Sequence, residues 1–484
     1  MHPGPAGARA QRHGEALRQL QLSMGAIWLV VGGIAAGMTL AVGTTASPRT
    51  YAHAGIAVAA LCGAAVAQTR RWLQPMGIPF IASPLGLPFM ILLLQHLLPA
   101  PAFAYFDLDG VPAFNPDGSG FLFRTSTVLV ITYCLAASLV LARPVREAAE
   151  PPPSASGAEA APIGIVTVLM LVVLGMTSVI LLVATQGTSY GANQLTRGVG
   201  YYASLILVVA VAPIWLVYLY LRERGAVPFL LTRLFGAFVV LSAAVTALTG
   251  VRNVVVALLL AWFYRAAGGR SVRRPSRAKL LVGVPIVIGF LVAVGVVRNE
   301  TTQPATGREA AEVALGSLSS AGYLTTQVLP RADTDPPLLG SSYAQSVSGF
   351  IPGGERGLGL PLQFQLAYER RSAPNPNSGY GYSALTESYQ NFRYVGVALL
   401  GAFAGGGLAV LYRRKGRFIA YPLFAAYLPY AMRTDSLGVM KQYMYSALAV
   451  GVMLLLEPRS MRPKSDRRSA AVPVRASALP RATV

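Results

Sequence analysis

Long apolar runs separated by short basic turns make up most of the chain. A helix needs about 20 residues to cross a bilayer core, and runs of that kind fall near 24–43, 51–68, 79–99, 125–142, 162–185, 199–221, 228–249, 252–266, 280–297, 394–412, 417–431 and 438–456. The pattern predicts an all-α polytopic membrane protein with about 12 transmembrane helices. On this reading 1–23 is a cytoplasmic tail, 24–297 holds spans 1–9, 298–393 is one long loop, 394–456 holds spans 10–12, and 457–484 is a basic cytoplasmic tail. No cleavable leader is read, because the first run is span length and Arg9, Arg12 and Arg18 precede it as an anchor would.

The segments between the runs differ in kind. "EPPPSASGAEAAP" at 150–162 reads as a flexible linker, and the tail after Glu457 is rich in Arg, Pro and Ala. The 298–393 loop is the one segment long enough to fold over a membrane. It carries an expected amphipathic helix from Ala310 to Leu329, then the turn-rich "PRADTDPPLLGSS", "YAQSVSGFIPGGERG" and "YERRSAPNPNSGYGYS". Loops of this length are usually functional or disordered, and the aromatic and aliphatic content here favours an ordered, functional one.

Charge gives the runs a direction. Only 12% of residues are charged against 54% hydrophobic, the mean hydropathy is +0.52, and the net charge is +21. The excess sits in separate clusters: Arg70 with Arg71, Arg143 with Arg146, Arg222 with Arg224, the run from Arg270 to Lys279, and Arg413 to Arg417. Cytoplasmic loops collect Lys and Arg, so both termini are expected in the cytoplasm and the 298–393 loop outside it. Charge divided among short turns is a topology signal, not a nucleic-acid surface. Cys62 and Cys134 fall within predicted spans and suggest no disulfide, and the four histidines show no metal-ligand spacing.

Candidate chemistry gathers at the non-cytoplasmic ends of the late spans. Arg252 opens span 8, Arg298 closes span 9, Glu387 precedes span 10, and Arg433 stands in the turn between spans 11 and 12. If 381–394 is helical, Ser383, Glu387 and Asn391 share one face at i, i+4 and i+8. Three guanidinium groups and a carboxylate at one depth suit an anionic substrate such as a lipid-linked pyrophosphate. The carboxylate could take a proton from an attacking hydroxyl, and the arginines could stabilise the departing pyrophosphate. Plainer readings stand beside this one: Arg252 snorkelling to headgroups, Arg298 paired with Glu300, Arg433 with Asp435, and Glu387 satisfied by Arg393. "FDLDG", with Asp107 and Asp109, is a short acidic pattern that reads best as a solvated loop, and Gly401 and Gly405 read as close helix packing.

"YSALTESYQNFRYVGVALLGAFAGG" resembles the signature of the Wzy-type O-antigen and oligosaccharide repeat-unit polymerases, through Glu387, Tyr389, Asn391, Phe392 and Gly396. Arg393 stands where that family usually has glycine. "LTGVRNVVVALLLAWF" is similar through Gly250 and Arg252, "GVVRNE" through Arg298, "LLGSSYAQSVSGFIPGG" through Tyr343 and Pro352, and "MRTD" through Arg433. Where the family follows the proline with arginine this chain has Gly353, with Arg356 the nearest substitute. The resemblance covers about 250–445. It implies an inverting, metal-independent glycosyltransferase of the bacterial plasma membrane, with no cofactor. Its substrates would be oligosaccharide repeat units on undecaprenyl pyrophosphate, both donor and acceptor, joined at the outer face. Its partners would be membrane lipids, a flippase and a chain-length regulator, with no nucleic acid. Arg252, Arg298 and Arg433 would hold pyrophosphate. Glu387 would be the base or the hydroxyl-orienting group, and Tyr343, Arg356, Ser383, Tyr389 and Asn391 would bind substrate or position the loop.

Three alternatives stay open: an O-antigen ligase, a polyprenyl-phosphate-sugar transferase using Asp107 and Asp109, and a flippase or other transporter that does no chemistry. Ligases of this kind usually show a histidine in the long loop, and this loop has none.

Overall fold

The structure, a computed structural model, describes residues 5–43, 46–73, 80–97, 118–143, 165–184, 199–223, 229–248, 253–268, 325–350, 383–413, 419–434 and 436–455. Every regular element among them is helical. In chain order they are α1 (Pro5–Val42), α2 (Pro48–Leu73), α3 (Leu87–Leu92), α4 (Ser119–Leu141), α5 (Ile165–Ala184), α6 (Val199–Glu223), α7 (Phe229–Leu248), α8 (Asn253–Gly268), α9 (Ser341–Phe350), α10 (Ala384–Arg413), α11 (Ala420–Ala431) and α12 (Ser436–Leu455), with a further helical stretch at 325–334.

Among the described residues, four helical stretches are long and apolar enough to cross a membrane: Arg18–Val42, Pro48–Leu73, Ser119–Leu141 and Ala384–Arg413. Shorter apolar stretches lie in α5, α6, α7 and α8. Their outward faces are apolar, with Leu29, Val30 and Leu40 on α1, Met176, Val179 and Val183 on α5, and Val395 and Phe403 on α10 all exposed. A surface of that kind belongs against hydrocarbon rather than water.

Among the described residues, two apolar cores fill the bundle. The first joins α1, α2, the 80–97 segment, α4 and α10 through residues such as Trp28, Cys62, Phe89, Tyr133 and Val397. The second joins α5, α6, α7 and α8 through Leu174, Leu207, Phe235 and Ala257. Helix α11 is the wall between them. Its Tyr421, Ala425 and Leu428 lie in the first core, and its Leu423, Ala426 and Tyr427 in the second. Each set repeats at i, i+3 or i+4, so one short helix is apolar on two faces. α4 and α10 pack most extensively, and their contact needs bare backbone. A β-carbon at Gly401 would collide with Thr132 and the Leu129 carbonyl, and one at Gly405 with the Tyr133 carbonyl. The small-residue spacing is thus a packing seam.

The expected continuous span at 79–99 is not one. A 3₁₀ turn at Phe80–Ala82, the six-residue α3, and a π turn at Leu93–Leu97 replace it. Pro84 and Pro88 explain the break, since proline donates no N–H and crowds the preceding turn. The freed carbonyls find side chains instead: Tyr133 Oη donates to the Pro84 carbonyl at 2.8 Å, and Tyr421 Oη to that of Ala82. Span 9 lies outside the described residues. So does most of the Ala310–Leu329 helix, of which 325–329 is helical and continues to 334.

Candidate functional site

The helix expected to begin at 394 begins ten residues earlier, at Ala384, and is bent where the expectation placed its start. Phe392 (φ −138°, ψ 21°) and Arg393 (φ 54°, ψ −141°) leave the helical region. Positive φ is uncommon for any residue but glycine and carries strain. At Arg393 the side chain holds the bend: its guanidinium donates to the carbonyls of Ala332 and Asp335 and lies 5.4 Å over the Tyr389 ring. The bend also brings the Ser388 carbonyl to where a β-carbon on residue 396 would stand, so Gly396 is required by space.

Freed carbonyls at the bend seat the loop. Those of Gln390 and Asn391 accept from the backbone N–H of Leu338 (3.0 Å) and Leu339 (3.2 Å). Asn391 Oδ1 accepts from Gly340 N at 2.9 Å. Leu339 and Gly340 both take positive φ, which turns the chain sharply into α9. α9 then lays Ser342 and Ser346, one turn apart, against α10 and α12.

Glu387 is the centre of this arrangement and is 1% exposed. Ser342 Oγ donates to its Oε1 at 2.7 Å, Ser436 Oγ to the same oxygen at 2.7 Å, and Ser436 N to Oε2 at 2.6 Å. Ser436 is the first residue of α12, so the carboxylate caps a helix N-terminus, where the backbone N–H groups and the helix dipole favour negative charge. Asn391 Nδ2 donates to Ser342 Oγ (2.7 Å) and to the Glu387 carbonyl (2.8 Å), which fixes the serine hydroxyl toward the acid. Ser346 Oγ lies 2.6 Å from Ser436 Oγ. Three chain segments far apart in sequence therefore meet on one carboxylate.

A second layer surrounds it. Ser383 Oγ donates to the Met432 carbonyl at 3.3 Å, Tyr343 Oη and Ser388 Oγ are 3.0 Å apart, and Thr325 and Thr386 hydroxyls are 2.9 Å apart. Tyr389 Oη donates to Asp333 Oδ1 at 2.7 Å. Burial pushes the Tyr343 phenol above its ordinary range, and the Ser388 hydroxyl draws it partly back. The Tyr343 and Phe392 rings stack at 6.3 Å.

Of the expected residues, the structure brings Glu387, Asn391, Ser383 and Tyr343 together, with Tyr389 on the neighbouring face. Arg433 stands in the turn between α11 and α12, three residues before Ser436, with its N–H bonded to the Tyr430 carbonyl. Arg252, Arg298 and Arg356 lie outside the described residues, as do Asp107 and Asp109. Pairing of Glu387 with Arg393 does not occur, because Arg393 is turned to the 332–335 carbonyls. Ser342 Oγ, Ser436 Oγ and Ser436 N all donate to the Glu387 carboxylate, so in this geometry it ties α9 to the start of α12.

Sequence reading missed Ser342, Ser436 and Asp333. The only local sign was the spacing of Ser342 and Ser346 in "GSSYAQS", which places two hydroxyls on one helical face. Nothing near Ser436 marks it, because its role depends on an acid 49 residues away. No family model, curated protein or solved structure matches the chain.

Proposed function

We propose that the protein joins lipid-linked oligosaccharide repeat units into polymer, as a metal-independent glycosyltransferase of the bacterial plasma membrane. The observation that carries this reading is the buried Glu387 clasp, built on the residues that resemble the polymerase signature, with Arg433 in the adjoining turn. In this reading about twelve segments, the broken 80–97 stretch and the short α11 among them, cross the membrane, both termini are cytoplasmic, and the Glu387 end of the bundle faces outward. Undecaprenyl pyrophosphate lies at that depth. Arg433, with Arg252 and Arg298, binds its phosphates as bidentate guanidinium groups do. Glu387 holds α9 and the start of α12 in the geometry that shapes the acceptor site.

Lipid extracts of a deletion strain test the reading. Single repeat units on undecaprenyl pyrophosphate should accumulate, and the wild-type gene should convert them to polymer. Polymer of normal length that is merely not transferred to its final acceptor would identify a ligase instead. Absence of outward-facing lipid-linked units would identify a flippase.

A further inference from the structure

Residues 338–341 make a tight turn in front of α9. Ser341 N donates to the Leu338 carbonyl at 2.9 Å, and the two residues between, Leu339 (φ 47°) and Gly340 (φ 90°), both take positive φ. Turns with two such residues favour Asn-Gly or Gly-Gly, because most side chains crowd the backbone there. This chain has Leu-Gly, and Leu339 is 74% exposed. In water a leucine here would be disfavoured twice, by its backbone conformation and by its open apolar surface. The position therefore points to surroundings that are not water.

Helix α9 has three faces. Ser342 and Ser346 point inward to Glu387 and Ser436. Ser341 and Gln345, one turn apart, form an exposed polar face. Tyr343 and Val347, also one turn apart, form an apolar face, on which Val347 is 51% exposed. A helix on a water-facing surface buries its apolar residues and shows its polar ones, whereas α9 buries serines and shows a valine. An open polar face beside an open apolar one is the pattern of a helix lying in the plane of a bilayer interface. The apolar face is continuous with a span. Leu338 N and Leu339 N are bonded to the Gln390 and Asn391 carbonyls of α10, and the Phe392 ring lies against Gly340 and stacks on Tyr343. Phe392 and Tyr394 are themselves exposed, and Val395, Leu399 and Phe403 carry an open apolar row down α10 at i, i+4 and i+8. Tyr394 is hydrogen-bonded to Arg124 of α4 and follows Arg393 directly. Tyrosine and arginine at one level mark a membrane–water boundary.

We propose that the 338–347 turn and helix form an interfacial membrane anchor, with Leu339 and Val347 seated among the acyl chains of the leaflet around this end of α10. The occupant is bilayer lipid, because the patch runs unbroken into the lipid-facing row of a span instead of being ringed by polar residues, as a protein-docking patch is. The proposal needs α10 to cross the bilayer and nothing of the polymerase reading. Burial of Leu339 in lipid offsets its backbone strain, and Ser341 and Gln345 stay at the headgroup and water side. α9 then has acyl chains on one face and Ser342 bonded to Glu387 on another. As a rigid helix between the two, it ties the height of the Glu387 clasp to the membrane surface.

Nitroxide labels on single introduced cysteines test this in the full-length protein, reconstituted in phosphatidylcholine–phosphatidylglycerol bilayers; the native thiols Cys62 and Cys134 are both buried. Collision with oxygen, which concentrates in the acyl region, is compared with collision with a water-soluble nickel chelate. Leu339→Cys and Val347→Cys should give oxygen-to-nickel ratios several-fold above those of Ser341→Cys and Gln345→Cys, approaching that of Val395→Cys on the span. Equal ratios at all four loop and helix positions would place the patch in water and overturn the proposal. Low collision with both reagents at 339 and 347 would mean that protein covers the patch, either the chain's own 351–382 segment or a second copy, and would overturn it as well. A nickel-accessible Val395→Cys label would take α10 out of the bilayer and the proposal with it. If Leu339→Cys fails to fold, Val347→Cys decides alone, since it leaves the turn untouched.

Discussion

At Glu387 the chemistry of a single atom decides what a substitution reports. Ser342 and both Ser436 groups donate to the carboxylate. Glu387→Gln keeps its shape but turns an amide –NH₂ toward one of those donors. Hydrogen bonds to charged groups contribute about 1.5–3 kcal/mol, so Glu387→Gln should lower the melting temperature more than Ser342→Ala, which removes one donor and leaves both Ser436 donors with their acceptor. Thermal unfolding of the two purified variants beside the wild type checks the order; melting of both at the wild-type temperature would show that the clasp contributes nothing to stability. Arg393 offers a second ordering. Its positive φ disfavours any side chain, while its guanidinium caps two carbonyls and covers Tyr389. Both Arg393→Gly and Arg393→Ala lose those contacts, but only Ala keeps the strain. The Gly variant should therefore be more stable by about 1 kcal/mol. A more stable Ala variant would mean that the bend does not persist without the arginine.

Helix α10 reads differently before and after its bend, and that is where the sequence misleads. From Val395 on, its apolar residues announce a span. From Ser383 to Asn391 its polar residues look like loop, yet all but Gln390 are buried. Their partners come from α9 and α12, which no local pattern near 383 can reveal. The 79–99 run failed for the opposite reason: its apolar residues are real, but Pro84 and Pro88 outweigh them. The glycine seam was legible because close backbone contact constrains residue size directly. It makes a prediction at this scale. Gly405→Leu should push α10 off the Tyr133 backbone and cost about 1–3 kcal/mol or more, while Gly407→Leu, whose β-carbon meets nothing, should be tolerated. Expression and melting of the pair in detergent distinguish them, and equal damage from both would remove the seam.

For the whole molecule the open quantity is direction. Ser341 is exposed at the start of α9, and the native thiols Cys62 and Cys134 are both buried. A Ser341→Cys protein should therefore react with an impermeant thiol reagent in intact cells, over a low background. Labelling only after lysis would place the Glu387 end in the cytoplasm. The wall helix α11 has a consequence of another kind. At twelve residues it is about 18 Å long, short of the ~30 Å of a bilayer core. It is flanked by α8, α10 and α12, so it is measured against protein and not against lipid, and it can carry Tyr421 and Tyr427 inward. Because its two faces belong to different cores, one displacement of its axis loosens both. Leu423→Ala and Leu428→Ala remove residues from separate clusters, yet their effects on melting should depart from additivity, beyond the ~0.3–0.5 kcal/mol within which independent sites sum. Sequence drift in one half of the bundle would then be constrained by residues in the other, with α11 as the shared term in their epistasis.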